Sequence, residues 1–244
     1  MRSQPQEKGR IKRSMEDRRN LFIAFVIAVG ATVLEFALYR WTPPELPHYL
    51  VFFLLALAAS TRKIRLPGVT TTISPSFLFV LIGIVNFNLP QVLVLGCAAT
   101  LVQCVWKPKR QPTLVQVVFN VASWSISISI AYWLSHFLSS LAGAPSSLIL
   151  LLSLGACVFF VSHMGLLAIV LSLSEQRELG EVWQRCFSAF FPFYLTGTAI
   201  SALACITTRT IGWRTSLLLL PAIYLVYLSY RLRVENVACD CSRA

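Results

Sequence analysis

Few residues in this chain can do chemistry within its apolar runs. Glu35 is the only acidic residue well inside one, and His163 sits near the middle of another. Asn120 and Trp124 are four residues apart, so on a helix they share a face. A charge or an amide in hydrocarbon needs either a partner or a function. Glu35, Asn120, Trp124 and His163 are therefore the candidate ligand-binding or sensing residues. Each also has a plainer reading. Glu35 lies about one turn from the end of its run and can reach the interface. Asn120 and His163 can act as hydrogen-bonded packing groups between helices. His48 and His136 lie near one boundary, so a three-histidine metal site is geometrically conceivable, but the spacing carries no metal signature. No metal and no cofactor are expected.

Catalytic constellations are missing from the pattern. The ten acidic residues lie mostly outside the apolar runs, and no paired carboxylates suit acid–base work. No nucleophile elbow, HExxH motif or phosphate loop is present. The expectation is a protein that is not an enzyme. Of seven cysteines, five lie in or beside apolar segments, where Cys packs as a small residue. Cys239-Asp-Cys241 is half of a metal or redox site with no second pair, and reads as a frayed tail. Small residues recur every four positions at Gly96, Thr100 and Cys104, and again at Gly197, Ser201 and Cys205. That spacing lets helix backbones approach closely. Ser123, Ser125, Ser127 and Ser129 alternate, so they cannot all share one helix face.

The elements that carry these residues follow from charge and hydropathy. Hydrophobic residues make up 56% of the chain and charged ones 13%. A soluble domain has about a quarter charged. The basic residues cluster at 2–19, 62–65, 107–110, 177–185 and 231–243, and only Arg40, Arg209 and Arg214 fall elsewhere. Repeated crossing of a bilayer keeps Lys and Arg on the cytoplasmic side. The pattern predicts an all-α, polytopic membrane helix bundle of about eight transmembrane helices, N-in and C-in, in the inner (cytoplasmic) membrane. The net charge of +11 is then a topology signal directed at lipid, and nucleic-acid binding is excluded as the leading function.

Three regions result: a basic cytoplasmic tail at 1–20, a multi-pass domain at 21–230, and the start of a cytoplasmic helix with a frayed tail at 231–244. The expected spans are Leu21–Tyr39, Pro47–Ser60, Ser76–Phe87, Pro90–Trp106, Thr113–Phe137, Ser146–Ser174, Phe187–Thr207 and Ser216–Tyr230. Pro192 is expected to break the seventh and Pro221 lies inside the eighth. Residues 175–186 are expected to form a short helix on the inner interface. The turn at 86–90 carries no charge, so charge counting leaves open whether 76–106 is two full spans or a re-entrant hairpin.

Three stretches are less generic: Leu66-Pro-Gly-Val-Thr with Ser76-Phe-Leu-Phe79; Cys97-Ala-Ala-Thr-Leu-Val-Gln-Cys-Val-Trp106 with Val117-Val-Phe-Asn-Val-Ala122; and Phe193-Tyr-Leu-Thr-Gly197 with Gly212-Trp213, Pro221 and Tyr227-Leu-Ser-Tyr-Arg-Leu232. Over roughly residues 20–235 the chain resembles the N-terminal membrane sensor regions (MASE-like) of bacterial cyclic-di-GMP enzymes, the GGDEF diguanylate cyclases and HD-GYP phosphodiesterases. That resemblance implies a last membrane helix that runs on into a cytoplasmic output domain. Pro221, Tyr230 and Arg231 would then be transmission residues. Neither a GGDEF nor an HD-GYP motif is present, so the output activity does not carry over. The expected function is a sensory input domain. Its partners would be the bilayer, a cytoplasmic GGDEF or HD-GYP protein, and a second copy, since a transmitting terminal helix favours a dimer. The competing reading is a small-molecule carrier or substrate-binding subunit of a transporter.

Overall fold

A computed structural model describes residues 4–43, 45–65, 72–108, 111–141, 148–219, 221, 224–225, 227–229 and 232. Helix α1 runs Gln4–Tyr39, α2 Leu46–Ser60, α3 Ser76–Asn86, α4 Leu89–Val105, α5 Leu114–Leu141, α6 Leu148–Glu175, α7 Leu179–Thr210 and α8 Trp213–Ser216, followed by a 3₁₀ turn at Leu217–Leu219. Two short strands, β1 (Ile64–Arg65) and β2 (Thr72–Ile73), pair antiparallel. They flank the Pro- and Gly-containing stretch that disfavours helix in the sequence. Among the described residues, four helical stretches are long and apolar enough to cross a membrane: Met15–Tyr39, α5, α6 and α7. The other apolar helices are shorter, with 15 residues in α2, 11 in α3 and 17 in α4. At 1.5 Å per residue these reach about 22, 17 and 25 Å, all below a hydrocarbon thickness of about 30 Å.

The apolar pattern is two-sided, and it builds a bundle with α3 at its heart. Every residue from Ser76 to Ile84 is buried, and α3 packs against α2, α4, α6 and α7. Around it, α5 packs on α6 and α4, α6 on α7, and α1 on α5. Large apolar side chains also cover the outside, among them Leu21, Phe25, Ile149, Val161 and Leu195. An apolar exterior of this kind suits lipid rather than water. The small-residue faces serve close packing. The position a Cβ would take on Gly30 lies 2.5 Å from the Ala122 Cβ, where α1 crosses α5. On Gly197 it would collide with the Phe77 ring. Ser201 Oγ donates to the Leu78 carbonyl at 3.2 Å, extending that α7–α3 seam.

Three sequence expectations are corrected. Helix α1 begins at Gln4, so the basic segment is a helical extension of the first span, whose start hydropathy puts at Leu21. Pro192 lies inside a continuous α7. A proline removes one backbone bond and crowds one carbonyl, but Phe190, Phe193 and Tyr194 are buried around it and hold the helix together. The separate interfacial helix at 175–186 is absent, because α7 already starts at Leu179. Ser123, Ser125 and Ser127, which point to more than one face of α5, are all buried, because α5 has neighbours on several sides.

The bundle has two distinct ends. At one, Lys63 Nζ donates to the Trp106 carbonyl at 2.6 Å, joining the basic links after α2 and α4. Arg177 and Arg185 at the α6–α7 turn pair with Glu175 and Glu181 at 2.8–3.7 Å. At the other, Asn88 Nδ2 donates to Thr42 Oγ1 and Gln91 Nε2 to the Thr42 carbonyl, each at 3.1 Å. The α3–α4 turn therefore lies beside the α1–α2 link. Gly212 then turns the chain from α7 into α8 with φ of 119°, a conformation that favours glycine.

Candidate functional site

The residues picked out by chemistry converge in part on one aromatic seam. Trp124 on α5 meets His163 on α6 edge-on, with ring centroids 5.5 Å apart. His163 stacks on Phe159, one turn earlier, at 5.7 Å and 17°. Phe159 also meets Trp124 at 5.4 Å and Tyr194 of α7 at 6.2 Å. Tyr194 lies 4.5 Å from Phe77 of α3. Offset and edge-on ring pairs of this kind add to the area they bury. The seam thus links four helices through the buried rings of Phe77, Trp124, Phe159 and Tyr194, and His163 is its one imidazole.

Polarity in the seam is sparse and unevenly satisfied. His163 Nδ1 and, further along α5, Ser129 Oγ are buried with no hydrogen-bond partner. Nearby hydroxyls mostly return to their own helix: Ser125 Oγ donates to the Val121 carbonyl at 3.1 Å and Ser127 Oγ to the Ser123 carbonyl at 2.8 Å. Thiols take the cross-helix contacts. Cys97 Sγ lies 3.1 Å from Ser125 Oγ, and Asn86 Nδ2 donates to Cys205 Sγ at 3.7 Å. Among the described side chains every carboxylate is exposed, so none of them reaches the seam. The arrangement is a packed set of rings that carries one imidazole nitrogen without a hydrogen-bond partner.

The candidates divide accordingly. Trp124 and His163 are brought into contact. Asn120, one turn before Trp124, donates Nδ2 to Cys104 Sγ at 3.5 Å, which is interhelical glue. Glu35 is separate: it is exposed on α1, away from the seam. Pro221 is exposed and helical, while Tyr230 and Arg231 lie outside the described residues. The three histidines do not assemble. His48 is held among Phe52, Phe87 and Trp213, His136 stacks on Tyr132 at 4.3 Å, and His163 lies in the seam. Among the described residues no group of three or more His, Cys, Asp or Glu is placed to hold a metal ion.

Two features were missed from sequence. One is the His48 cage, which needs residues from α2, the α3–α4 turn and α8. The other is the polar lock of Thr42, Asn88 and Gln91, to which Tyr49 adds a hydrogen bond from its hydroxyl to the Gln91 carbonyl at 3.1 Å. The only sequence sign of the lock is Asn88 followed by Pro90 and Gln91. That is a helix-start pattern, in which Gln91 Oε1 accepts from the Asn88 backbone N–H at 3.2 Å. Compared with known proteins, the chain matches no family model, no curated protein and no solved structure.

Proposed function

We propose that this chain is a membrane-embedded sensory input domain of the MASE-like kind, with its basic end in the cytoplasm. A small or lipid-soluble ligand, or a membrane state, biases the packing of the aromatic seam. The bias passes through the segment after Gly212 to a cytoplasmic GGDEF or HD-GYP partner. The observation that carries this reading is the docking of that segment. Tyr227 is 6% exposed and belongs to the main core, and Trp213 packs against the same core. A shift in the bundle therefore moves the stretch that leads out of it. A ligand drives such a shift only if it binds the two arrangements unequally.

In this reading α3 and α4 form a full hairpin rather than a re-entrant one. The support is the Asn88–Thr42 contact at one end and, at the other, Ser74 Oγ donating to Gln103 Oε1 at 2.7 Å. The short helices then sit in a locally thinned bilayer or are shielded by their longer neighbours. The test fuses the whole chain to a reporter diguanylate cyclase and compares it with Pro221→Ala and His163→Phe versions. Cyclase output that depends on membrane conditions, and is altered in both variants at equal expression, is the expected result. Output indifferent to conditions and to both substitutions would remove the sensory reading. Uptake of a solute that depended on His163 would replace it with a carrier.

A further inference from the structure

We infer that His48 is a proton-binding site on the far end of the bundle, and that protonation breaks its stack on Trp213, where the C-terminal segment starts. The ring stands in a cage made by three separate parts of the fold. Trp213, the first residue of α8, stacks on it at 5.5 Å and 24°. Phe52, one turn along α2, meets it edge-on at 5.1 Å, and Phe87 from the α3–α4 turn lies at 5.1 Å. Nε2 is buried among these groups with no hydrogen-bond partner. His48 as a residue is part-exposed, in the first turn of α2 beside the α1–α2 link, which gives protons a route to it.

The cage suits a neutral imidazole. The neutral ring has one N–H and one acceptor nitrogen, and an unpaired acceptor among rings is a modest loss. The imidazolium carries two N–H groups, and here one would point at hydrocarbon with no oxygen to receive it. Three π faces attract a cation, but a buried charge without a hydrogen-bonding partner costs more than such faces return.

The surrounding charges do not change that balance. Glu45 on the His48 side favours the charged form, but it is exposed to solvent. The Tyr49 hydroxyl is committed to the Gln91 carbonyl. The α3–α4 turn presents only uncharged Asn86, Phe87, Asn88 and Gln91. From α8 the Arg214 guanidinium lies 5.7 Å from the Trp213 ring and disfavours a second cation. When the ring takes a proton, the stable outcome is for it to swing toward water, which unstacks Trp213. The effect of this release on signal output rests on the sensory reading above; the proton site itself does not.

The experiment uses the purified full chain in lipid nanodiscs. Tryptophan emission is followed from about pH 8 to about pH 4, which brackets the titration range of a histidine. Subtracting the emission of Trp213→Phe isolates the Trp213 contribution. The expected result is one single-proton step in that contribution, with red-shifted emission on the acid side. The step should be absent in His48→Phe, which keeps an aromatic ring in the cage. Should His48→Phe fold poorly, His48→Gln gives the same comparison, and the thermal midpoint gives a second readout. The wild-type midpoint should fall with acid more steeply than that of either variant. No step in the wild type, or a step that persists in both His48 variants, overturns the proton site. A step present in the emission but absent from the fused cyclase's output keeps the site and removes only its signalling role.

Discussion

At the scale of single residues, a packing role and the proposed sensing role make different predictions. Ser129 Oγ and His163 Nδ1 are buried without partners. Burying such a group costs about 1–3 kcal/mol relative to a well-packed apolar substitute. Ser129→Ala is therefore expected to raise the thermal midpoint in detergent, corresponding to about 1 kcal/mol. His163→Phe keeps the stack on Phe159 and the edge contact with Trp124, and removes the unpaired nitrogen. It is expected to be neutral or stabilising in the same measurement while abolishing the response of a fused reporter. A His163→Phe chain that unfolds earlier than wild type would show that the imidazole is structural cement. Sequence alone identifies these residues but not their company. Trp124 and Asn120 share a face by spacing, yet nothing in the spacing says that one meets His163 and the other Cys104. Those contacts depend on which helices pack side by side.

At the scale of elements, helix ends and joints decide how firmly the seam is held. Helix α6 ends in a left-handed residue, Gln176 with φ of 54°. Beside it the Arg177 backbone N–H donates to the Ser172 carbonyl at 3.3 Å, and Ser172 Oγ donates to the Arg177 carbonyl at 2.7 Å. This is the usual glycine-closed helix terminus with a glutamine in the strained position. An L side chain there costs about 1–2 kcal/mol, part of which glycine returns as unfolded-chain entropy. Gln176→Gly is expected to stabilise by about 0.5–1 kcal/mol, read as a raised midpoint in thermal unfolding. No change, or a loss, would mean that the Gln176 side chain makes a contact worth more than the strain. The ion pairs around this turn are part-exposed and contribute little singly, although four of them join the same two arginines and two glutamates. The long helices were the most legible elements. Expected spans at 113–137 and 146–174 become Leu114–Leu141 and Leu148–Glu175. Length and hydropathy suffice there, because transfer into lipid is a property of the segment itself. Hydropathy failed where continuity depends on neighbours, as at Pro192, and where a polar stretch extends an existing helix, as before Leu21.

At the scale of the whole molecule, the segregation of charge makes the orientation testable. One end carries Arg62, Lys63, Lys107 and Arg177 in its links and Arg185 in the first turns of α7, while the far end holds Thr42, His48, Asn88 and Trp213 around a neutral polar lock. In the orientation proposed above, the excess of cations places that end in the cytoplasm, on the side where anionic lipid and the membrane potential favour Lys and Arg. Arg40, Arg209 and Arg214 at the far end oppose this, but they are fewer. Cysteines placed at Pro43 and at Lys107, in a chain whose Cys239 and Cys241 are serines, read the outcome through a membrane-impermeant maleimide on intact cells. Pro43 is exposed in the α1–α2 link and takes no part in the lock, so its replacement leaves the Thr42 contacts in place. Pro43→Cys is expected to label before permeabilisation and Lys107→Cys only after it. An Asn88→Cys chain should behave like Pro43→Cys, because Asn88 is hydrogen-bonded to the adjacent Thr42. Labelling at Lys107 but not at Pro43 in intact cells would invert the molecule. It would place the His48 cage in the cytoplasm and the C-terminal segment on the wrong side for a cytoplasmic partner. Protection of Asn88 alongside free labelling of Pro43 would instead bury the α3–α4 turn below the surface and restore the re-entrant hairpin.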